Sequence, residues 1–225
     1  LNDRLREVQR LDILEAVDNQ AMAYFSALPV HDVTDQTLAL RSKALQKIGN
    51  VRQDEGQLAA ALESYLAASE LGAELLRRSP DDAEREAAYA ETLNHLGNAQ
   101  YFQGERDRAL ESFTRAVALL TRATAARPQD DWLEVLSSAR THAGRVLETR
   151  GEFEAARTLY ESVLSTATML ASRQPGDVRR QADLADALDS LGKIALEQGQ
   201  LTQAIAAYRD VRRIKAELST RSPDD

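Results

Sequence analysis

Four glycines recur at a nearly constant interval along this chain of 225 residues. They are Gly49, Gly97, Gly144 and Gly192, and the intervals between them are 48, 47 and 48 residues. A fixed period of this kind is typical of repeat proteins, in which one supersecondary unit occurs several times along the chain and neighbouring units stack. The sequence therefore predicts four related units, and it favours an interaction scaffold over an enzyme.

Other residue types return in register with these glycines. Each unit has a second glycine, then an alanine, then an aromatic residue, and it closes with a proline. In that order the residues are Gly56, Gly104, Gly151 and Gly199; Ala61, Ala109, Ala156 and Ala204; Tyr65, Phe113, Tyr160 and Tyr208; and Pro80, Pro128, Pro175 and Pro223. Apolar residues recur between these positions at intervals of three and four, which is the pattern of amphipathic helices. Each unit is therefore predicted to be a hairpin of two helices.

The glycine, proline and aspartate residues of each unit predict where its helices begin and end. The second glycine is expected to end the first helix, and the proline cannot continue the second helix. Two residues after each proline comes an aspartate, predicted to cap the next helix: Asp82, Asp130, Asp177 and Asp225. The first glycine lies inside the first helix, where glycine costs roughly 1 kcal/mol relative to alanine. It is predicted to let a neighbouring helix approach closely.

The pattern of Leu96, Gly97, Gly104, Ala109 and Phe113, followed by Ala116, resembles the tetratricopeptide repeat, a unit of two helices. The resemblance covers residues 35–225 and implies an all-α fold, a right-handed superhelical α-solenoid of four helical hairpins. The units expected are 35–82, 83–130, 131–177 and 178–225, preceded by a helical cap or hinge in 1–34. The family's usual period is 34 residues, so both helices should be longer than usual here.

Similar long repeats occur in bacterial multidomain signalling and defence-type proteins, beside a separate effector domain. The resemblance thus implies the regulatory or sensor part of a larger protein. Two features of the sequence agree with a fragment. The first residue is Leu1 rather than methionine, and the five letters of 221–225 repeat those of 78–82, so a further repeat or capping helix is expected.

Composition and charge narrow the function classes. Hydrophobic residues make up 43% of the chain and aromatic residues 5%, and the formal net charge is −8. An acidic chain lacks the basic footprint of a nucleic-acid binder. No apolar run approaches the ~20 residues that cross a bilayer, and no cysteine is present to form disulfides. We expect a cytoplasmic protein with no nucleic-acid or membrane partner.

Candidate catalytic and metal-binding residues are few. His95 and His142 occupy equivalent positions in neighbouring units, but two imidazoles fall short of the three or four protein ligands that zinc takes. Packing or groove lining is the expected role of both. No nucleophile, base and orienting group can be assembled from the sequence. We therefore predict no catalytic residue, no metal site and no cofactor.

In the family, the first helices of successive hairpins line an inner groove that binds peptides. The resemblance assigns to this groove Lys43, Gln46, Asn50, Gln53, Asn94, Asn98, Tyr101, Phe102, Thr141, Arg145, Asp189 and Lys193. Tyr101 and Phe102 would supply an aromatic anchor for a partner, and the alternative is that at least one of them belongs to the core.

Four of these groove residues form a polar ladder, since each follows the first glycine of its unit: Asn50, Asn98, Arg145 and Lys193. The resemblance to grooves that clamp a peptide carboxylate is partial. Gln46 stands where such grooves have lysine, and Asp189 adds negative charge, which argues against recognition of a peptide C-terminus.

The leading functional hypothesis is a scaffold that binds a protein or peptide segment in its groove. The alternative is a structural or self-association module that positions or oligomerises an effector domain. Exposed apolar residues at the ends or on the outer face, and a size that depends on concentration, would favour the alternative.

Overall fold

The computed structural model describes Gln20 and residues 33–221. Residues 33–221 form eight helices and contain no strand. We number them α1 Asp35–Asp54, α2 Leu58–Arg78, α3 Ala83–Phe102, α4 Arg106–Ala126, α5 Asp130–Thr149, α6 Phe153–Arg173, α7 Val178–Glu197 and α8 Leu201–Arg221. The predicted all-α class is confirmed. The predicted cap in 1–34 falls almost wholly outside the described residues, as do Pro223 and Asp225.

The helices pack in chain order within two compact units that divide between Pro128 and Gln129. In the first unit α1 packs on α2, α2 on α3, and α3 on α4. In the second unit α5 packs on α6, α6 on α7, and α7 on α8. Each unit therefore holds two hairpins, and the second helix of one hairpin packs against the first helix of the next.

The predicted helix stops are confirmed, and Gly56 shows their geometry. Its φ is +77°, a left-handed conformation that glycine adopts without a Cβ penalty. The Gly56 amide donates to the carbonyl of Gln53 at 3.0 Å, and the next amide, of Gln57, donates to Arg52 at 2.8 Å. This pair of bonds is the Schellman motif, which satisfies two carbonyls at the end of α1. Gly104, Gly151 and Gly199 have similar positive φ values.

The glycines inside the first helices permit the close approach that the sequence predicts, and the partner is an aromatic ring. A Cβ placed on Gly49 would lie 2.5 Å from Cε1 of Tyr65. The corresponding distance is 2.7 Å from Gly97 to Phe113 and 2.6 Å from Gly144 to Tyr160. The glycine of each first helix therefore forms the seat for a ring on the second helix of its own hairpin.

The small alanines complete these seats. Ala61, Ala109 and Ala156 are fully buried, and so are the rings that follow them in the sequence. An aromatic side chain removes about 150 to 250 Å² of surface from water when it is buried. The repeated glycine, alanine and aromatic residue therefore carry much of the hairpin core.

The aspartate caps are confirmed at two of three described positions. The Asp82 carboxylate accepts from the amides of Glu84 at 3.0 Å and Arg85 at 3.2 Å, and Asp177 accepts in the same way at the start of α7. At Asp130 the prediction is wrong. Asp130 is the first residue of α5, and its carboxylate instead accepts from Arg173 at 2.8 Å.

That contact belongs to a series of ion pairs that closes the open end of the first three hairpins. Arg78 at the end of α2 donates to Asp35 at the start of α1 at 2.9 Å, and Arg127 pairs with Glu84 at 2.5 Å across the second hairpin. Hydrogen bonds from Arg78, and then from Arg85, lower the pKa of the Asp35 carboxyl below its usual value. Exposed pairs of this kind contribute little stability each, but they fix the register between the two helices.

Candidate binding clefts

Each compact unit contains a cleft of the same construction. Two first helices form its walls, and the second helix between them forms its floor. The first cleft lies between α1 and α3 over α2, and the second lies between α5 and α7 over α6. The first helices of the hairpins therefore carry most of the side chains that a bound segment would touch.

The first cleft is the larger one, with a volume of about 610 Å³. Gly72 and Leu75 of α2 lie at its floor beside Tyr89 of α3. A Cβ on Gly72 would lie 2.7 Å from the Tyr89 ring, so this glycine lets the ring lie flat against α2. The floor is thus apolar and closely packed.

The walls of the first cleft carry opposite charges. The α1 wall presents Lys43 and Lys47, with the amides of Gln46 and Asn50 beside them. The α3 wall carries the carboxylates of Asp82, Glu84 and Glu91, and its cation, Arg85, is paired with Asp35 and Asp82. The lining residues Lys43, Lys47, Glu84 and Glu91 are exposed. This arrangement places the free ammonium groups on one side and most of the carboxylates on the other.

The second cleft has a volume of about 320 Å³ and a floor of Val163, Ala167 and Leu170 from α6. Its polar walls come from two helices. Those residues are Glu134, Ser137, Ser138, Thr141 and His142 of α5, and Arg179, Arg180, Asp183, Asp186 and Ser190 of α7.

An ion pair closes one end of the second cleft. Arg180 is buried, and its guanidinium lies 2.6 Å from the Glu134 carboxylate, which also pairs with the exposed Arg179. Burial raises the pKa of the Asp183 carboxyl above its usual value. The hydroxyl of Ser137 is buried without a hydrogen-bond partner among the described residues. This cleft therefore combines a tightly held charge pair with a free hydrogen-bonding group.

The structure brings four of the predicted groove residues to the clefts. Lys43, Gln46 and Asn50 line the first cleft, and Thr141 lines the second. The other eight do not line either cleft as described: Gln53, Asn94, Asn98, Tyr101, Phe102, Arg145, Asp189 and Lys193.

Two residues of the predicted polar ladder, Asn50 and Lys193, and the groove residue Gln53 make contacts within the fold. Asn50 accepts a hydrogen bond from the Tyr65 hydroxyl at 2.7 Å, and Gln53 lies 3.3 Å from the same hydroxyl. Lys193 pairs with Glu148, which raises the pKa of the lysine. Asn98 is half-buried and Arg145 is exposed.

The remaining predicted residues divide between the core and the surface. Asn94 is buried and Asp189 is exposed. Tyr101 is half-buried and contacts the exposed Phe102 edge to face, with ring centroids 5.9 Å apart. The pair therefore presents one ring, that of Phe102, to solvent.

The histidines occupy different environments. His95 stacks on Tyr65 with ring centroids 5.6 Å apart and an angle of 13° between the planes. Burial lowers the pKa of His95 below its usual value. His142 lines the second cleft. Among residues 33–221, no three His, Asp or Glu side chains converge in a way that would hold a metal ion.

The sequence interpretation missed Lys47, Glu91, Glu134, Arg180 and Asp186, all of which line a cleft. It centred the groove on the residues beside the repeated glycines, whereas the clefts extend towards the N-terminal halves of the first helices. Helical periodicity could have identified Lys47, because residues three and four positions apart share a helix face and Lys47 lies four positions after the predicted groove residue Lys43.

Family models of the tetratricopeptide repeat match residues 92–130 and 186–214. Comparison with curated protein sequences finds no match. Within the part of the chain that is described, none of the helices combines the length and the apolar character needed to span a bilayer.

Solved structures share the fold at low sequence identity. BtubC (BKLC) from P. vanneervenii is 16% identical with a TM-score of 0.73, and the match covers 96% of this chain and 78% of that one. A putative kinesin light chain from Podosopora anserina with nearly identical TPR-like repeats is 17% identical, with a TM-score of 0.68 and coverage of 96% and 92%. MamA is 19% identical, with a TM-score of 0.61 and coverage of 98% and 97%.

Proposed function

We propose that this chain, a tetratricopeptide-repeat protein, is an interaction scaffold whose clefts bind an extended or helical segment of another protein or of another domain. The first cleft is the main binding surface in this proposal, and the observation that carries it is its apolar floor between walls of opposite charge. As the family resemblance implies, we place the scaffold in the regulatory part of a larger cytoplasmic protein.

The dimensions of the first cleft support a peptide ligand. Ligand sites usually have volumes of about 300 to 1,000 Å³ and combine an apolar lining with a few polar groups. The first cleft, at about 610 Å³, lies within this range, and Leu75 and Tyr89 supply its apolar surface. One or two apolar side chains of a bound segment would pack on this floor.

The charges of the walls define the chemistry of the segment. Lys43 and Lys47 lie one helical turn apart on α1 and would pair with acidic side chains, while Glu91 on α3 would pair with a basic one. Glu84 already pairs with Arg127. Complementary charges of this kind fix the orientation of a ligand and exclude wrong partners. We therefore expect a segment with acidic residues along one side and basic residues along the other.

The second cleft, taken by itself, would hold a smaller segment than the first. The Ser137 hydroxyl lacks a partner among the described residues, and a bound backbone carbonyl or amide would satisfy it. Thr141 and His142 add further hydrogen-bonding groups on the same helix. In this cleft, backbone hydrogen bonds would matter more than charge pairs.

The experiment that tests the proposal is affinity capture from native cytosol with the chain as bait. The variant Lys43→Glu with Lys47→Glu should lose the captured partner because it reverses the α1 wall. Arg106→Glu with Arg108→Glu is the matched control, since both arginines are exposed on α4 and the change in net charge is equal. Circular dichroism of both variants would verify that they fold.

A partner captured equally by the bait and by the lysine variant would overturn the cleft as the binding surface. If nothing is captured and the chain instead sediments as a concentration-dependent oligomer, the self-association role replaces the scaffold role.

A further inference from the structure

The second cleft has an acidic wall where the repeat is otherwise apolar. Asp183 on α7 lines this cleft, and the equivalent residues of the other units, nine positions before the first glycine, are Leu40, Ala88 and Val135. Asp186, three positions later on the same helix face, also lines the cleft. The α7 wall therefore presents two carboxylates, one of them at a position where the other units carry apolar residues.

Neither carboxylate is neutralised by the fold. Within residues 33–221, the Asp183 and Asp186 side chains form no ion pair and no hydrogen bond. The cations that line the same cleft, Arg179 and Arg180, both pair with Glu134. Burial raises the pKa of the Asp183 carboxyl although the two arginines are near, as expected for a partly desolvated charge without a close partner. A cation entering the cleft would supply that partner.

The facing wall, on α5, contains a hydroxyl that the fold does not use. The Ser137 Oγ is buried and has no hydrogen-bond partner among the described residues. At the same position of the first hairpin, the Ser42 hydroxyl donates to the carbonyl of Ala68 at 3.0 Å. The other two units carry the buried alanines Ala90 and Ala185 there. Packing at this position therefore does not require the Ser137 hydroxyl, which remains available to a ligand.

The floor and the size of the cleft limit what can enter it. Val163, Ala167 and Leu170 make the floor apolar, and the volume of about 320 Å³ lies near the lower end of the range of about 300 to 1,000 Å³ found for ligand sites. One long side chain with an apolar stem and a cationic tip suits these dimensions.

An arginine side chain has these properties. Its methylene groups can cover apolar surface. Its guanidinium presents several N–H donors in one plane and is more weakly hydrated than the ammonium of lysine, so it loses less on entering a partly buried site. Asp183 and Asp186 lie one helical turn apart, and both carboxylates can accept charge-assisted hydrogen bonds from such a group.

We propose that the second cleft selects a partner segment that carries an arginine, whose guanidinium pairs with Asp183 and Asp186. The stem of the arginine packs on the apolar floor. Hydrogen bonds to the backbone of the segment, from Ser137 among others, hold it in place, and the carboxylates determine which side chain it carries. This inference rests on the proposed function, in which the clefts bind a segment of a partner, and it names the residue that one cleft recognises.

The probes are two short alanine peptides, acetylated and amidated, one with a central arginine and the other with a central citrulline. Citrulline has the length and shape of arginine but ends in a neutral urea group. Titration of the isotope-labelled full chain, followed by NMR, measures both affinities and shows which amides respond. The arginine peptide should bind about tenfold more tightly, since charge-assisted hydrogen bonds replace neutral ones, and the amides of residues 134–142 and 183–190 should shift.

Variants of the chain test the role of each wall. Asp183→Asn with Asp186→Asn should remove the preference for arginine and retain binding of the citrulline peptide. Glu161→Gln with Asp189→Asn is the matched control, because both residues are exposed outside the cleft and the net charge changes equally. Ser137→Ala should weaken the binding of both peptides and leave their ratio unchanged.

Variants of the first cleft separate this test from that of the proposed function. Glu91→Gln removes a carboxylate that lines the first cleft and should leave the preference for arginine as it is. Lys43→Glu with Lys47→Glu, which should lose the captured partner, should bind the arginine peptide as the wild type does.

Two results would overturn the selection of arginine: equal affinity for the two peptides, or a preference that persists after Asp183→Asn with Asp186→Asn. Failure of both peptides to bind would also overturn it, and partner capture that depends on Lys43 and Lys47 would then leave the proposed function standing.

Discussion

Replacing the glycine inside a first helix should have opposite effects in two repeats. Alanine is better than glycine in a helix by roughly 1 kcal/mol, so Gly192→Ala and Gly97→Ala receive the same intrinsic gain. The difference lies in what the new Cβ meets. From Gly97 it would meet Cε1 of Phe113 at 2.7 Å and Cδ1 at 2.8 Å, and Phe113 is fully buried.

The clash at Gly97 should outweigh the helical gain. Overpacking a closely packed core costs about 1 to 3 kcal/mol, and the buried ring of Phe113 has no room to withdraw. We expect Gly97→Ala to lower the free energy of unfolding by about 1 kcal/mol net. At Gly192 the nearest atoms are Cε1 of the exposed Tyr208 at 3.1 Å, which can move into solvent, and Cβ of Ala207 at 3.2 Å, which needs α8 to shift by only a few tenths of an ångström. Gly192→Ala should therefore stabilise the chain by up to about 1 kcal/mol.

Urea denaturation followed by circular dichroism measures both changes, and a double-mutant cycle tests their cause. Phe113→Leu removes the ring atoms that the new Cβ would meet, so Gly97→Ala should cost less in that background, with a coupling free energy of about 1 kcal/mol. If Gly97→Ala and Gly192→Ala stabilise the chain equally, or if the Gly97 and Phe113 changes are additive, the Phe113 ring is not the reason that position 97 requires glycine.

Three further outcomes are expected. Glu134→Gln leaves the buried guanidinium of Arg180 without its carboxylate and should lower the free energy of unfolding by about 2 kcal/mol or more. The control Arg179→Gln, at an exposed position, should lower it by less than about 1 kcal/mol. Equal urea midpoints for the two variants would contradict this prediction. Burial holds the pKa of His95 below its usual value, so the folded state binds fewer protons than the unfolded state and stability falls as the pH drops below about 6.5. Between pH 7.5 and pH 5.5 the urea midpoint of the wild type should drop more than that of His95→Gln, and parallel pH profiles would rule out this role of His95. Ala109→Leu overfills a fully buried site and should lower the free energy of unfolding by about 1 to 3 kcal/mol, which thermal denaturation would detect as a lower midpoint. A midpoint as high as that of the wild type would show that the hairpin has room for the larger side chain.

The fold was predictable because the packing residues repeat. The glycine that ends each first helix, the buried alanine and the aromatic residue recur in every unit, and the ring is buried in the first three units. The capping rule failed at Asp130 for a physical reason. With Gln129 as the cap residue of α5, Asp130 lies one position too late to cap and pairs with Arg173 instead.

The clefts were less predictable because their lining residues do not repeat. At the position six residues before the first glycine, the four units carry Lys43, Glu91, Ser138 and Asp186, and all four line a cleft. No periodic signal marks a position whose residue changes type from unit to unit. The location of such a position follows only from the geometry of the helices around it.

Repetition also conceals differences that depend on neighbours. Tyr160 and Tyr208 are the same residue type at equivalent positions of neighbouring hairpins. Tyr160 is nevertheless buried beneath α7, whereas Tyr208 is exposed. At this position of the second helix, the ring is buried where the first helix of the next hairpin packs over it, as α7 packs over Tyr160. The sequence of one unit does not contain this information. The positions that repeat therefore specify how hairpins pack, whereas the lining of the clefts differs between units because equivalent positions there change residue type.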